Sequence, residues 1–156
     1  MFEVSGYVCA FPVESVREVI HVTATLTAPA QPSMLEGFLN YHGQPVPVIV
    51  LARLFGLPET EGDLYSPIIL IQERGEILGI VVDSVEGVAT IAGEEMRQLP
   101  ADHSLNNCAE AQFVYEGRPV TLLASSRVLL DKERQCIAGL AEQARRRLQN
   151  LELNRS

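Results

Sequence analysis

The chain has 156 residues, 47% of them hydrophobic, and a formal net charge of -8. That length suits one domain or two small lobes sharing a core, and that apolar content excludes a wholly disordered chain. Residues 1–130 hold six Arg and sixteen Asp or Glu, a net -10, while residues 131–156 carry a net +2, so the acidic body repels phosphate backbones and no nucleic-acid binding is expected of it.

In chain order, Phe2, Val4, Gly6 and Val8 alternate with other residues and lead into Ala10 and Phe11, which predicts a single first strand. Val13, Val16, Val19 and Ile20 recur at helical spacing, predicting a short helix or turn that feeds a strand through Ile20 to Leu26. Residues 28–33 read as loop. Gly37 to Leu39 and Pro45 to Val50 flank Asn40-Tyr41-His42-Gly43, a hairpin signal. Pro45 and Pro47 lack amide donors at alternate positions, so one side of that run is expected to face an edge or a loop. Leu51 to Phe55 makes about one helical turn, closed by Gly56 and Pro58, and residues 59–66 form a surface loop.

Ile68 to Gln72 and Ile77 to Val82 are dense in β-branched residues and joined by Glu73-Arg74-Gly75-Glu76, a strand pair buried on at least one face. After the irregular stretch 93–110, Gln112 to Tyr115 and Pro119 to Leu123 make a hairpin around Glu116-Gly117. Short strands, frequent Gly and Pro and one-turn helices favour small β-barrels over a βαβ sheet. The tail differs. Ile137, Leu140, Ala141, Ala144, Leu148 and Leu151 recur at three- and four-residue steps, an amphipathic helix expected to dock its stripe on the parent domain.

The residues of catalysis are not arranged for it. His21, His42 and His103 lie in a strand-like run, a turn and a loop with no nucleophile elbow, and His103 with Cys108 is too sparse a pair for zinc. No phosphate-cradling glycine loop occurs. Asp83 and Glu86 read as strand-end carboxylates and Arg145-Arg146-Arg147 as a solvated helix face. Cys9, Cys108 and Cys136 have no metal or redox spacing and are expected to be reduced, buried thiols. No apolar run approaches the roughly 20 residues a bilayer needs, and Met-Phe-Glu-Val carries no signal core. The expectation is a cytoplasmic binding module with no catalytic residue, cofactor or metal.

Four stretches in order then resemble the CheW-like adaptors of bacterial chemosensory systems. They are Ala10-Phe11-Pro12-Val13-Glu14-Ser15-Val16-Arg17-Glu18-Val19-Ile20, Gly37 to Gly43 with Val46-Pro47-Val48-Ile49, Gly79 to Val88, and more weakly Gly117 to Leu130. The resemblance covers residues 2–130 and implies a mainly β fold, two SH3-like β-barrel lobes sharing a hydrophobic core over residues 1–130, with short helices; the C-terminal amphipathic helix read above from its periodicity, at 131–156, lies outside the match. The resemblance also implies an adaptor that bridges the cytoplasmic tip of methyl-accepting chemoreceptors to the regulatory domain of a CheA-type histidine kinase, without membrane insertion of its own but recruited to receptor arrays. Carried over by residue, Val16, Glu18, Asn40, His42 and Gly43 are receptor-contact candidates, although Val16 also fits a core position. Asp83, Glu86 and Val88 are weaker interaction-surface candidates.

Two positions depart from the family pattern: His42 stands where Arg is usual, and Val50 where Asp is usual. A permanent bidentate cation thus becomes an imidazole, whose charge depends on pH, and Glu18 is expected to face it. Both departures favour a rival reading, a diverged module on the same fold that serves a pilus or surface-sensing pathway or self-assembles through the C-terminal helix. A small enzyme would need a pocket with converging polar groups, which the sequence does not advertise.

Overall fold

Successive side chains of a strand point to opposite faces, so the unbroken apolar run Ile68 to Ile71 requires apolar surroundings on both sides. A computed structural model of the chain, describing residues 1–21, 25–27, 30–59, 66–100 and 108–153, supplies them. Its strands are β1 (Phe2–Val4), β2 (Tyr7–Ala10), β3 (Val16–His21), β4 (Leu35–Tyr41), β5 (Gln44–Val50), β6 (Pro67–Glu73), β7 (Glu76–Val81), β8 (Ser84–Val85), β9 (Arg97–Gln98), β10 (Ala109–Tyr115) and β11 (Arg118–Leu123). A helix α1 (Leu51–Phe55), a long C-terminal helix α2 (Asp131–Leu153) and 3-10 turns at Val13–Ser15, Gly93–Glu95 and Ser125–Arg127 complete the order.

The strands form two sheets. The central lobe has the order β3-β6-β7-β5-β4, and the terminal lobe, built from both ends of the chain, has β8-β1-β2-β11-β10-β9. Leu26 and Phe38 exchange backbone hydrogen bonds of 2.8 and 2.7 Å, so the chain beyond β3 reaches β4 and closes the central barrel. Ile68 and Leu70 fill that barrel with Leu39, Val46 and Val48. Ile69 and Ile71 point the other way, into a core shared with Phe2, Val4 and Leu123 of the terminal lobe. Val8, Ala10, Phe113 and Val120 fill the terminal barrel. This is the mainly β, two-lobed, shared-core architecture expected.

The expected single first strand is a hairpin. Ser5 and Gly6 have φ of 49° and 83° and turn the chain between β1 and β2. Consecutive positive φ values recur at His42-Gly43, Arg74-Gly75 and Glu116-Gly117, the type I′ geometry that matches strand twist and needs glycine second. Of the short helix or turn expected over Val13 to Ile20, the turn forms, and the strand it feeds begins earlier than expected, at Val16. One 3-10 turn, held by the Ser15 hydroxyl donating to Pro12 O at 2.8 Å, leads straight into β3. A bulge there lets Val16 pair Ile71 and Glu18 pair Leu70, and a turn plus a bulged strand reproduces a period near three. Pro45 and Pro47 lie in an interior strand, but β5 pairs β7 only from Val48 onward, so the prolines occupy the half without a second neighbour.

The stripe of α2 does dock: Ile137, Ala144 and Leu148 are buried, while Leu151 at its end is 53% exposed. The expectation of three buried thiols fails for Cys136, which is exposed on α2. Burial pushes the Cys9 and Cys108 thiols up to about 12, which keeps them protonated and unreactive at pH 8. Titration of the native protein with a thiol-specific chromogenic disulfide at pH 8 is therefore expected to modify one thiol per chain rapidly, and all three in denaturant.

Candidate binding groove between the lobes

The two lobes repeat one another by residue. Val13-Glu14-Ser15-Val16-Arg17-Glu18-Val19 leads into β3, and Val82-Asp83-Ser84-Val85-Glu86-Gly87-Val88 carries β8. Val16 pairs Ile71 of β6 as Val85 pairs Phe2 of β1, and the parallel pair Val48–Gly79 matches Leu122–Ala10. The hairpin turns agree too, Tyr41-His42-Gly43-Gln44-Pro45-Val46 against Tyr115-Glu116-Gly117-Arg118-Pro119-Val120.

These repeated segments face a common groove of about 550 Å³. Val13, Val16 and Val19 line it from the central side, Val85 and Val88 from the terminal side, and Phe2 and Phe11, stacked at 5.1 Å, lie beneath. Val13 is 63% and Val88 78% exposed, so apolar surface faces solvent in a concave, two-walled site, the form of a surface that binds a partner. Glu14 and Glu110 make part of the lining acidic.

Beside the groove, β3 and the β4–β5 turn carry a polar cluster. The Tyr41 hydroxyl donates to Glu18 Oε1 and accepts from Arg17 Nε at 3.3 Å. Arg17 Nη1 donates to Gln72 Oε1 at 3.0 Å, and its guanidinium lies 5.8 Å from the Tyr41 ring centre. Glu18 is thus held by Tyr41, not by His42; no ion pair joins Glu18 to His42 among the described residues. The strand geometry explains this correction. His42 sits at the turn tip with φ 51°, its ring edge-on to Tyr41 at 4.5 Å, while Tyr41 still belongs to β4 and reaches β3. Asn40 Oδ1 accepts from the Gly43 amide at 3.0 Å and holds the turn.

Val50 occupies the position before the first turn of α1, 9% exposed, with no side chain capping the helix. An Asp there would accept from a first-turn amide; Val exchanges that cap for core burial, so this departure concerns folding and not the surface. Asp83 and Glu86 are engaged within the protein. Asp83 Oδ2 accepts from the Ser5 amide at 2.8 Å, and Glu86 pairs with Arg118 at 3.2 Å. Val16 and Val88 meet in the groove; Glu18, Asn40, His42 and Gly43 gather at the polar cluster. Val13, Val19 and Val85 escaped the sequence reading, and the repeated Val-x-Ser-Val-x-x-Val pattern is the signal that points to them. His103 and the loop at 60–65 lie outside the described residues. Among the described residues no group of three His, Cys, Asp or Glu could hold a metal ion, and no helix is long and apolar enough to cross a membrane.

Residues 1–133 match the model of the CheW-like domain family. The chain is 24% identical over 123 residues to a chemotaxis protein CheW of Rhizobium meliloti, covering 78% of this chain and 79% of that one. It is 24% identical over 128 residues to a chemotaxis protein CheW of Thermotoga maritima, covering 82% and 84%. In fold it is similar to the crystal structure of the scaffolding protein TtCheW from Thermoanaerobacter tengcongensis, with a TM-score of 0.73 at 22% identity over 79% of this chain and 85% of that one.

Proposed function

Because the chain belongs to the CheW-like domain family of non-enzymatic scaffolds, we propose that it is a cytoplasmic adaptor coupling methyl-accepting chemoreceptors to the regulatory domain of a CheA-type histidine kinase. The observation that carries this reading is the apolar groove between the lobes, flanked by the Glu18–Tyr41–Arg17 cluster. A concave strip of valines suits the apolar face of a receptor-tip helix, read at i, i+3, i+4 and i+7. Glu14 and Glu110 favour a helix with basic flanks. The adaptor performs no chemistry: it holds receptor and kinase together so that a change in one biases the other.

In this reading Val16, Glu18, Asn40, His42, Gly43 and Val88 contribute to the receptor side. Asp83 and Glu86 support it from within, by holding β1 and β8 in place. Tyr41→Phe removes the hydroxyl that positions Glu18, and we expect receptor-fragment affinity to fall several-fold with thermal stability nearly unchanged, since exposed polar contacts contribute about 1 kcal/mol or less. Isothermal titration checks this against a circular dichroism melt. The decisive test titrates the purified chain separately with a receptor cytoplasmic-tip fragment and with the kinase regulatory domain from the same cell. Micromolar or tighter binding to both supports the adaptor role. Binding to neither by a folded sample, with a control adaptor still binding, assigns the fold to the diverged module that His42 favours.

A further inference from the structure

Building on the receptor reading, on which this depends, we propose that Glu110 is the specificity-determining residue of the groove. It selects a partner helix bearing an arginine or lysine whose methylene stem enters the open mouth of the terminal barrel. Leu26 and Phe38 close the central barrel with their backbone hydrogen bonds, but β8 and β9, the two edges of the terminal sheet, do not pair. The groove runs on into that barrel: Ala10, Ile91, Met96, Phe113 and Leu122 belong both to its lining and to the apolar cluster inside. Ala10 is small, and Met96, unbranched and polarizable, adapts to what enters. Glu110 lines the same cavity and is half-buried.

In the other lobe the matching carboxylate is held internally. The register of β10 shifts between Ala109 and Ala111 as that of β4 shifts between Leu35 and Gly37. The Ala124 amide donates to Cys108 O at 2.7 Å, as the Val50 amide donates to Met34 O at 2.9 Å. By position, therefore, Glu110 matches Glu36 and Arg127 matches Arg53. Arg53 Nη1 donates to Glu36 Oε2 at 3.3 Å. Arg127 makes no such bond to Glu110, nor does Arg97, which lies on β9 beside β10. Among the described residues the Glu110 carboxylate has no hydrogen-bond or ion-pair partner.

A carboxylate partly removed from water and left unpaired favours a cation brought from outside, most strongly a guanidinium that engages both oxygens. Arg and Lys lay their aliphatic stems on apolar surface while the charged head stays at a polar rim, which fits one acid among the apolar side chains of the mouth. Glu14, on the central wall, has the same sign but is exposed, so solvent screens it and it adds attraction rather than choice. A helix presenting a neutral or acidic residue here leaves Glu110 covered without a partner, and that penalty discriminates.

Titration calorimetry of a receptor cytoplasmic-tip fragment from the same cell, at low and at physiological salt, compares the parent with Glu110→Gln and Glu36→Gln. Glu110→Gln is expected to weaken binding about tenfold or more and to flatten its salt dependence. Glu36→Gln is expected to do neither. Each Lys and Arg of the fragment is then changed in turn to Met. One position is expected to cost about tenfold with the parent and nothing further with Glu110→Gln. Glu110→Lys is expected to abolish binding, and a Glu at that fragment position to restore it. The restoring pair separates recognition from misfolding, since a misfolded chain recovers nothing. Unchanged affinity and salt dependence in Glu110→Gln, an equal loss from Glu36→Gln, or no fragment position coupled to Glu110 would overturn the proposal. The groove itself survives those outcomes if Val13→Glu with Val88→Glu still abolishes binding, whereas a parent chain that fails to bind the fragment overturns both.

Discussion

Val13→Glu combined with Val88→Glu is expected to abolish measurable receptor-fragment binding while leaving the thermal midpoint within a few degrees of the parent. Both valines are mostly exposed, at 63% and 78%, one on each wall of the groove. Exposed substitutions of this kind usually change stability by less than about 0.5 kcal/mol. In the complex each loses about 1.5 kcal/mol of apolar transfer and must also desolvate a carboxylate in a groove already lined by Glu14 and Glu110. Each single change is then expected to weaken binding by about tenfold to a hundredfold. Titration calorimetry with the receptor fragment checks this, and kinase-domain affinity serves as the control. If the double variant bound receptor normally, the groove would not be the receptor site.

Gly37→Val is expected to act on folding instead. Gly37 has φ 155°, and a β-carbon built on it would lie 2.7 Å from Leu26 O, the carbonyl that accepts from the Phe38 amide to close the central barrel. The obstruction is backbone, so no rotamer change relieves it. A loss of about 3 kcal/mol or more is expected, lowering the melting midpoint by roughly 6–12 °C for a protein of this size. Gly139→Ala provides the opposite sign. Gly139 sits on the exposed face of α2 with nothing within 4 Å of an added β-carbon, so about 0.5–1 kcal/mol of stabilisation is expected. Denaturant melts of the two variants test both statements.

The fold was legible wherever a local rule coincided with burial. Ile68 to Ile71 and the x-Gly turns at residues 42–43, 74–75 and 116–117 declare strands and hairpins, because alternation and positive φ each leave a compositional trace. The β1–β2 turn hid because Gly6 keeps the alternation of Phe2, Val4 and Val8 intact even as the chain reverses there. Residues 13–20 left helix and turn open because a 3-10 turn and a bulge together imitate a helical stripe. At the site, the turn and Glu18 were visible through the family pattern. The groove was not, since its walls are about seventy residues apart in sequence and nothing local announces that Val19 and Val85 line one cleft. The partner of Glu18 was misassigned by one position, from Tyr41 to His42, because turn identity alone does not say which side chain reaches across to β3.

The arrangement of the two lobes along the chain has a consequence for synthesis. Every strand of the central lobe falls between Val16 and Val81, whereas the terminal lobe needs β1 and β2 together with β10 and β11. As the chain leaves the ribosome, the central barrel can close long before its neighbour, which must wait for Leu123 to bring β11 beside β2. Through that interval Ile69, Ile71 and Ile80, which end in the shared core, lack their partners Val128, Ile137 and Ala144. Long-range pairing of this kind is slow and leaves apolar surface open to misassembly. The nascent half-molecule thus exposes apolar surface of the kind chaperones recognise, and the arrival of α2 is the step that covers it.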